Sequence, residues 1–286
     1  MKGKTHLSPR RRAYDLAGRL LLYISAGATC ALLLFMIGTI CIKGLPHISW
    51  QFLSTAESIL TGTIGILPSI KNTLFVIAVS LVIVLPLGVG AAIYLTEYAR
   101  NRRLVAAIEF ATETLAGIPS IIYALVGVII FCTAMGLQKT LLSGALTLVI
   151  MVLPTIIRTT QESLKTVPLS YREGAMGLGA GKWHMIRTVV LPSSVDGIVT
   201  GCILSIGRIV GEPAVLLYTA GLSTAMQSFS PDKVMKASGA TLSSALYIYA
   251  KERADLNTAF AIAALLLALT IIINLAASFA GKKLKK

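Results

Sequence analysis

The stretch REGAMGLGAGKWHMIRTVVLP, Arg172–Pro192, decides how this chain is organised. It mixes glycines and alanines with Arg172, Lys182, His184 and Arg187, between two long apolar runs. Such side chains do not sit in hydrocarbon, where an arginine at a helix centre costs about 2.5–3.5 kcal/mol. The segment therefore lies outside the bilayer and joins two spans. Three uses compete: a glycine loop that cradles phosphate, a short helix that docks onto another protein, or a plain amphipathic linker resting on the headgroups.

The phosphate loop fails on its residues. A Walker loop needs G-x-x-x-x-G-K-[ST], in which backbone N–H groups and the lysine surround phosphate. Here Met176 stands where the first glycine belongs and Trp183 where the magnesium-binding Ser or Thr belongs. No strand precedes it and no G-x-G-x-x-G pattern is present, so the chain is expected to hydrolyse no nucleotide. The docking helix fits better. Pro168 sets a turn, Ser170 is placed to cap a helix, and Glu173 falls at its third position, as in a capping box. Gly177, Gly179 and Gly181 then end the helix and let the chain reverse, with Trp183 suited to the membrane interface.

Around this loop the sequence is mostly oil. Of 286 residues, 55% are hydrophobic and 13% charged, with a mean hydropathy of +0.80. Soluble domains carry about a quarter charged residues, so an ordinary soluble core is excluded. Uncharged runs long enough to cross a bilayer occupy Leu20–Ile42, Asn72–Thr96, Thr114–Gln138, Thr140–Ile157 and Leu256–Gly281. A sixth, Gly197–Ala220, is interrupted by Arg208 and Glu212. The fold class expected is an all-α polytopic membrane protein with six transmembrane helices. Its parts are a tail over residues 1–19, a first helix and external loop over 20–71, a core of five helices over 72–281, and a tail over 282–286. The core contains the loop at 166–191.

The formal charge of +14 suggests nucleic acid at first sight. However, the basic residues cluster at the ends of apolar runs rather than on one arm, so no nucleic acid partner is expected. Lys2, Lys4, Arg10, Arg11, Arg12 and Arg19 fall on one side with Arg100, Arg102, Arg103, Arg158, Lys165, Arg172, Lys182, Arg187 and the final lysines. Positive charge stays inside, so both termini and the loop are expected in the cytoplasm, and Lys233 outside. The first run is too long for a signal-peptide core and reads as a retained helix. The Ser/Ala-rich segment 221–255 lies on the outer side, with a partly re-entrant piece around TLSSALYIYA, 241–250. Pro86, Pro119, Pro154 and Pro213 fall within spans and read as kinks.

Few side chains suggest chemistry. Cys30, Cys41, Cys132 and Cys202 lie in apolar runs without metal or disulfide spacing and read as small buried hydrophobes. His6, His47 and His184 form no ligand pair, so no metal site is expected. Glu97, Glu109 and Glu113 lie near span ends, read as interfacial, and receive no transport role. Arg208 and Glu212 are different, being charges within an apolar run. One helical turn separates them, yet an exposed i,i+4 pair contributes only about 0.3–0.5 kcal/mol. Since that does not offset the cost of insertion, both are assigned to a translocation pathway, with a buried clamp between helices as the alternative.

Glu173, Ala175, Gly179, Val189, Leu191 and Pro192 reproduce the spacing of the EAA loop. On them the chain resembles the inner-membrane permeases of bacterial binding-protein-dependent ABC importers, which share the MetI-like permease fold. AAIYLTEYA (91–99), LAGIPSIIYAL (115–125), LPTIIRTTQESLKTVP (153–168) and TGCILSIGRIVGEPAVLLYTAG (200–221) resemble the phosphate branch of that family, the PstA type. Three positions depart from the pattern: Gly174 replaces a second alanine, and Pro213 and Val215 replace Thr and Pro after the GE pair. The resemblance implies a cell-membrane subunit of an ATP-driven phosphate importer that does no covalent chemistry. Its partners would be a second permease of the PstC type, an ATPase dimer of the PstB type that uses ATP and Mg, and an external phosphate-binding protein of the PstS type. Arg172, Glu173, Gly174, Ala175 and Gly179 would form the ATPase-coupling loop, with no cofactor bound by this chain. Permeases for molybdate, sulfate or phosphonate share the scaffold and remain the alternative.

Overall fold

Each apolar run becomes a helix, but two of them do not run straight. The computed structural model describes residues 9–58, 62–223 and 236–284; the tails 1–8 and 285–286, and Lys233 within the loop, lie outside the described residues. Helix α1 spans Pro9–Gly44, followed by α2 Trp50–Ser54 and a small antiparallel hairpin, β1 Ala56–Ser58 with β2 Thr63–Ile66. Then come α3 Leu67–Ile93, α4 Arg102–Ala116, α5 Ser120–Gly127, α6 Leu141–Thr166, α7 Leu169–Gly177 and α8 Lys182–Met185. The remainder is α9 Leu191–Ser193, α10 Val195–Val210, α11 Pro213–Thr219, α12 Leu242–Tyr247 and α13 Leu256–Leu284. Four π-helical turns, Tyr94–Tyr98, Val128–Ala134, Ile186–Val190 and Ile248–Glu252, extend α3, α5, α8 and α12.

Four helices are long and apolar enough to cross a membrane, and two bent pairs raise the number to six if each is one span. The expected third span, Thr114–Gln138, overlaps one of those pairs, lying mostly on its second helix. Arg102–Ala116 and Ser120–Ala134 meet at 100°. Gly117 ends the first helix and Pro119 caps the second, because a residue before proline is driven out of the helical region. The other bent pair is Lys182–Ser193 with Val195–Val210, at 65°, and the expected run Gly197–Ala220 is itself divided further on. Helix α10 stops at Gly211, and Pro213 opens α11, where its missing N–H is no loss. Pro119 and Pro213 thus separate helices instead of kinking one, whereas Pro86 and Pro154 do lie inside α3 and α6.

Helix α6 is the axis of the bundle, packing against α3, α4, α5, α10 and α11. Leu148, Met151, Ile156 and Leu164 along it are fully buried. One close crossing is with α10, through the small-residue spacing Gly197-x-x-x-Gly201. A Cβ at Gly197 would stand 2.3 Å from Ser163, and one at Gly201 would stand 2.2 Å from Thr159. Such contacts let helices associate in lipid, where hydrophobic burial gives no drive. Of the cysteines, Cys30 is exposed and the other three are half-buried, so small lipid-facing or packing residues describes them better than buried ones.

Three apolar clusters stack along the bundle. The middle one joins α3, α5, α6, α10 and α11. A second gathers Phe52, Ile66, Leu242, Tyr249 and Ile262 under the hairpin. The third holds Ala92, Leu164, Val167, Met185, Ile186 and Val190 beneath the glycine-rich loop. Within the second, α12 packs among the long helices: Thr241, Leu242 and Ser244 are fully buried. Asn72 Nδ2 donates to the Ala240 carbonyl at 3.0 Å and Leu242 N–H to Thr73 Oγ1 at 2.9 Å. Just before the last span, Asp255 accepts the N–H and hydroxyl of Thr258, at 3.2 and 2.6 Å, which caps α13 and lowers the Asp255 pKa, chiefly through the hydroxyl.

Candidate functional site

The loop forms a helix, a turn and a second helix. Helix α7 begins at Leu169 with Pro168 as its N-cap and no side-chain capping bond, so Ser170 does not cap it as expected. Pro168 sets the extended entry itself, and Ser170 lies within the first turn. At the other end the chain closes a Schellman motif. Ala180 N–H bonds the Ala175 carbonyl at 3.1 Å and Gly179 N–H the Met176 carbonyl at 2.9 Å. Gly179 has φ +86°, a left-handed conformation that a β-branched residue resists. Of the three glycines expected to end the helix, Gly179 carries the reversal.

The exposed side of this hairpin carries several large apolar side chains beside the charged Glu173, Lys182 and Arg187. Leu169, Tyr171 and Met176 are at least half exposed, Trp183 is 61% exposed and Leu178 92%. Between α7 and the chain climbing back lies an open groove of about 770 Å³, lined by Tyr171, Gly174, Ala175, Leu178, His184 and Val189 among others. Glu173 and Gly174 are exposed and Ala175 is half-buried, so these predicted loop residues lie together on an accessible helix. No atom lies within 4 Å of a Cβ built at Gly174, so the departure from alanine there has no packing cause.

Arg172 is the exception among the loop residues. It turns inward, with its side chain 14% exposed against a Glu97 side chain only 7% exposed. Its Nε and Nη2 donate to Glu97 Oε1 at 3.1 and 2.9 Å. Nη1 donates to the Val167 carbonyl at 2.5 Å, and Nη2 also to the Leu164 carbonyl at 2.8 Å. The guanidinium thus satisfies carbonyls at the C-terminal end of α6, where a cation is favoured by the helix dipole. Glu97 lies at the end of α3, as expected, with its side chain turned inward and buried. Its partner lies far along the chain, and no local pattern announces the pair. Beside it, Lys182 Nζ stands 4.7 Å from the centre of the Tyr98 ring. Glu109 and Glu113 also pair: Glu109 with Lys165 at 2.9 Å, and Glu113 with Arg158 at 3.4 Å. These surface pairs fasten α4 to the end of α6 and contribute little energy each.

The intramembrane charges stand apart from this loop. Arg208 occupies the last turn of α10 and Glu212 is the N-cap of α11. Because the helix breaks between them, the expected i,i+4 pair does not form; among the described residues neither has an ion-pair partner. Both are half-buried. Arg208 lies within electrostatic reach of Tyr123 on α5, whose hydroxyl donates to the Leu115 carbonyl at 2.7 Å. The Glu212 carbonyl accepts from Ser243 Oγ on α12 at 3.4 Å. The break therefore borders both half-span helices, α5 and α12. Among the described residues no cluster of His, Cys, Asp or Glu is arranged to hold a metal.

Known proteins place this architecture. The bundle superimposes on a bacterial ABC transporter involved in the import of the acidic polysaccharide alginate, with TM-score 0.65 at 19% identity over 96% of this chain and 100% of that one. It matches the MetNI methionine ABC transporter at TM-score 0.59 and 19% identity, over 78% and 95%. In sequence it is 34% identical to the probable ABC transporter permease protein YqgI of Bacillus subtilis over 72% of this chain and 70% of that protein. It is also 34% identical to the phosphate transport system permease protein PstA of Xylella fastidiosa, over 75% of each. With PstA 1 of Mycobacterium tuberculosis it shares 38% identity, but there the chain spans about half the relative's length, 52%. The binding-protein-dependent transport system inner membrane components match residues 84–286, from inside α3 through the glycine turn and both charges to the chain end. With the helical bundle, the exposed loop helix and that match in agreement, the chain belongs to this family of importer permeases.

Proposed function

We propose that the chain is a transmembrane subunit of an ATP-driven importer of inorganic phosphate. A second permease, PstC-like, completes the pathway; a PstB-like ATPase dimer supplies ATP hydrolysis with Mg; a PstS-like binding protein delivers phosphate from outside. Both termini and α7 face the cytoplasm, following the distribution of lysine and arginine. The observation that carries the anion assignment is Arg208, a half-buried cation in the bundle without an acidic partner among the described residues. A guanidinium offers a planar fork of donors suited to an oxyanion. The relatives named as phosphate permeases favour phosphate among the oxyanions.

The loop supplies the drive. An ATPase that grips the exposed side of α7, with its groove, would move the helix when ATP closes the nucleotide sites. Arg208, at the break between α10 and α11, would hold the passing anion briefly, and Glu212 would limit how tightly it is held. The test is reconstitution of the complex in proteoliposomes with ATP inside and loaded binding protein outside. Phosphate uptake that requires ATP is expected. Uptake of molybdate or sulfate in its place would overturn the phosphate assignment while keeping the importer.

A further inference from the structure

We infer that Glu97 is a positioning residue of the transport cycle: with Arg172 it locks the coupling helix to the ends of two spans, so that α7 cannot move without α3 and α6. This rests on the importer reading and concerns how its loop is linked to the pathway.

Three observations converge on one turn of chain. Glu97 sits in the π-helical turn Tyr94–Tyr98 that ends α3, a distortion that recurs at functional positions in helices. Its carboxylate is buried against Arg172, and the same guanidinium holds the Leu164 and Val167 carbonyls at the end of α6. The neighbouring Tyr98 takes Lys182 on its ring. The turn thus grips the loop on both sides of Gly179: Arg172 before the reversal and Lys182 after it. Below it, Ala92 and Ile93 of α3 pack with Met185, Ile186 and Val190 in one apolar cluster.

Stability alone does not account for such a pair. Burying two charges costs desolvation that their attraction only partly repays, so a hydrophobic pair of like volume would hold the loop as well. A buried ion pair is most useful where one register must be kept. Here three elements meet at one planar group with donors in fixed directions. The carboxylate neutralises a guanidinium already committed to the α6 carbonyls. Push on α7, and the displacement goes to α3 and α6 rather than into the loop.

The test compares Glu97→Gln, Arg172→Gln and the double variant in the reconstituted complex. Phosphate uptake, ATP hydrolysis and hydrogen exchange at the amides of 169–177 are read together. In Glu97→Gln, uptake per ATP hydrolysed should fall about tenfold, while complex recovery and ATP hydrolysis stay within about twofold of the parent. Exchange in α7 should quicken while that in α10 does not. The double variant should be no worse than Arg172→Gln, since the two act as one unit, and Glu97→Asp should recover part of the coupling. Uptake and hydrolysis falling in parallel with poor complex recovery would reduce the pair to a structural clamp and overturn the inference. So would an unchanged uptake ratio in Glu97→Gln. Absence of phosphate uptake by the unmodified complex counts against the phosphate reading instead; the lock is then judged by binding-protein stimulation of ATP hydrolysis and by exchange, and unchanged values for both in Glu97→Gln overturn it.

Discussion

Arg172 and Arg208 are the same side chain in two very different surroundings. Arg172, on the loop, gives its donors to a buried carboxylate and two helix-end carbonyls. Arg208, at the end of α10, has no ion-pair partner among the described residues, and its neighbouring acid is turned away by a helix break. Satisfied donors fix a position, whereas unsatisfied ones keep a capacity to bind. The loop is built to be held on its inner side and offered on its outer one. On the proposed function, the break would receive something that comes and goes.

Four experiments bear on that contrast, in descending order of effect. Gly179→Val puts a β-branched residue at φ +86°, a conformation costing an L-residue about 1–2 kcal/mol before branching is counted. Uptake should be abolished and the ATPase should no longer co-purify, with membrane insertion normal. Unchanged uptake in a normally expressed variant would remove the coupling role of the turn. Arg208→Gln should lower uptake at least tenfold with the complex still recovered, and Arg208→Lys should also impair it, because a point charge does not reproduce the fork. If assembly is lost, Arg208 is a structural clamp; if uptake persists, it has neither task.

Leu178→Ala acts on the offered side. A leucine 92% exposed in the free chain gains its burial only on a partner, at about 1.5–3 kcal/mol if burial is complete. ATPase affinity should fall about tenfold, measured by titrating the two in detergent, without change in the thermal stability of the permease alone. A loss of stability instead would place Leu178 inside this chain's own packing. Gly174→Ala is the mildest. It meets no neighbour and adds about 1 kcal/mol of helix preference, so exchange within α7 should slow about fivefold with uptake unchanged. A drop in uptake would show that α7 needs to yield at that position.

Much of this was legible in the residues. Apolar run length located α1, α3, α6 and α13, and the glycine spacing located the reversal at Gly179. Run length reports what solvent a segment meets, however, not the direction of its axis. That is why Thr114–Gln138 read as one span although Gly117 and Pro119 divide it, and why the interval from Arg208 to Glu212 read as one turn of helix although Gly211 and Pro213 end one helix and start another. Both breaks had a Gly and a Pro to mark them. Glu97 had no such mark. Its role depends on a partner 75 residues away in sequence, brought near only when α3, α6 and α7 pack. The hairpin β1–β2 was missed because strands of three and four residues carry too little alternation to register.

Helix α1 has a consequence of another kind. Every side chain from Tyr14 to Ile37 is exposed, and only its final turns meet α13, where Lys43 lies 5.2 Å from the centre of the Phe260 ring. The uncharged run Leu20–Ile42 is about 35 Å long as a helix, against about 30 Å of hydrocarbon. Few contacts within this chain fix its angle, so in lipid the mismatch would act on it: a thinner bilayer would tilt the helix further, a thicker one draw it upright. Held near Lys43 and with few contacts to its own chain, α1 would make its inclination in lipid a readout of membrane thickness.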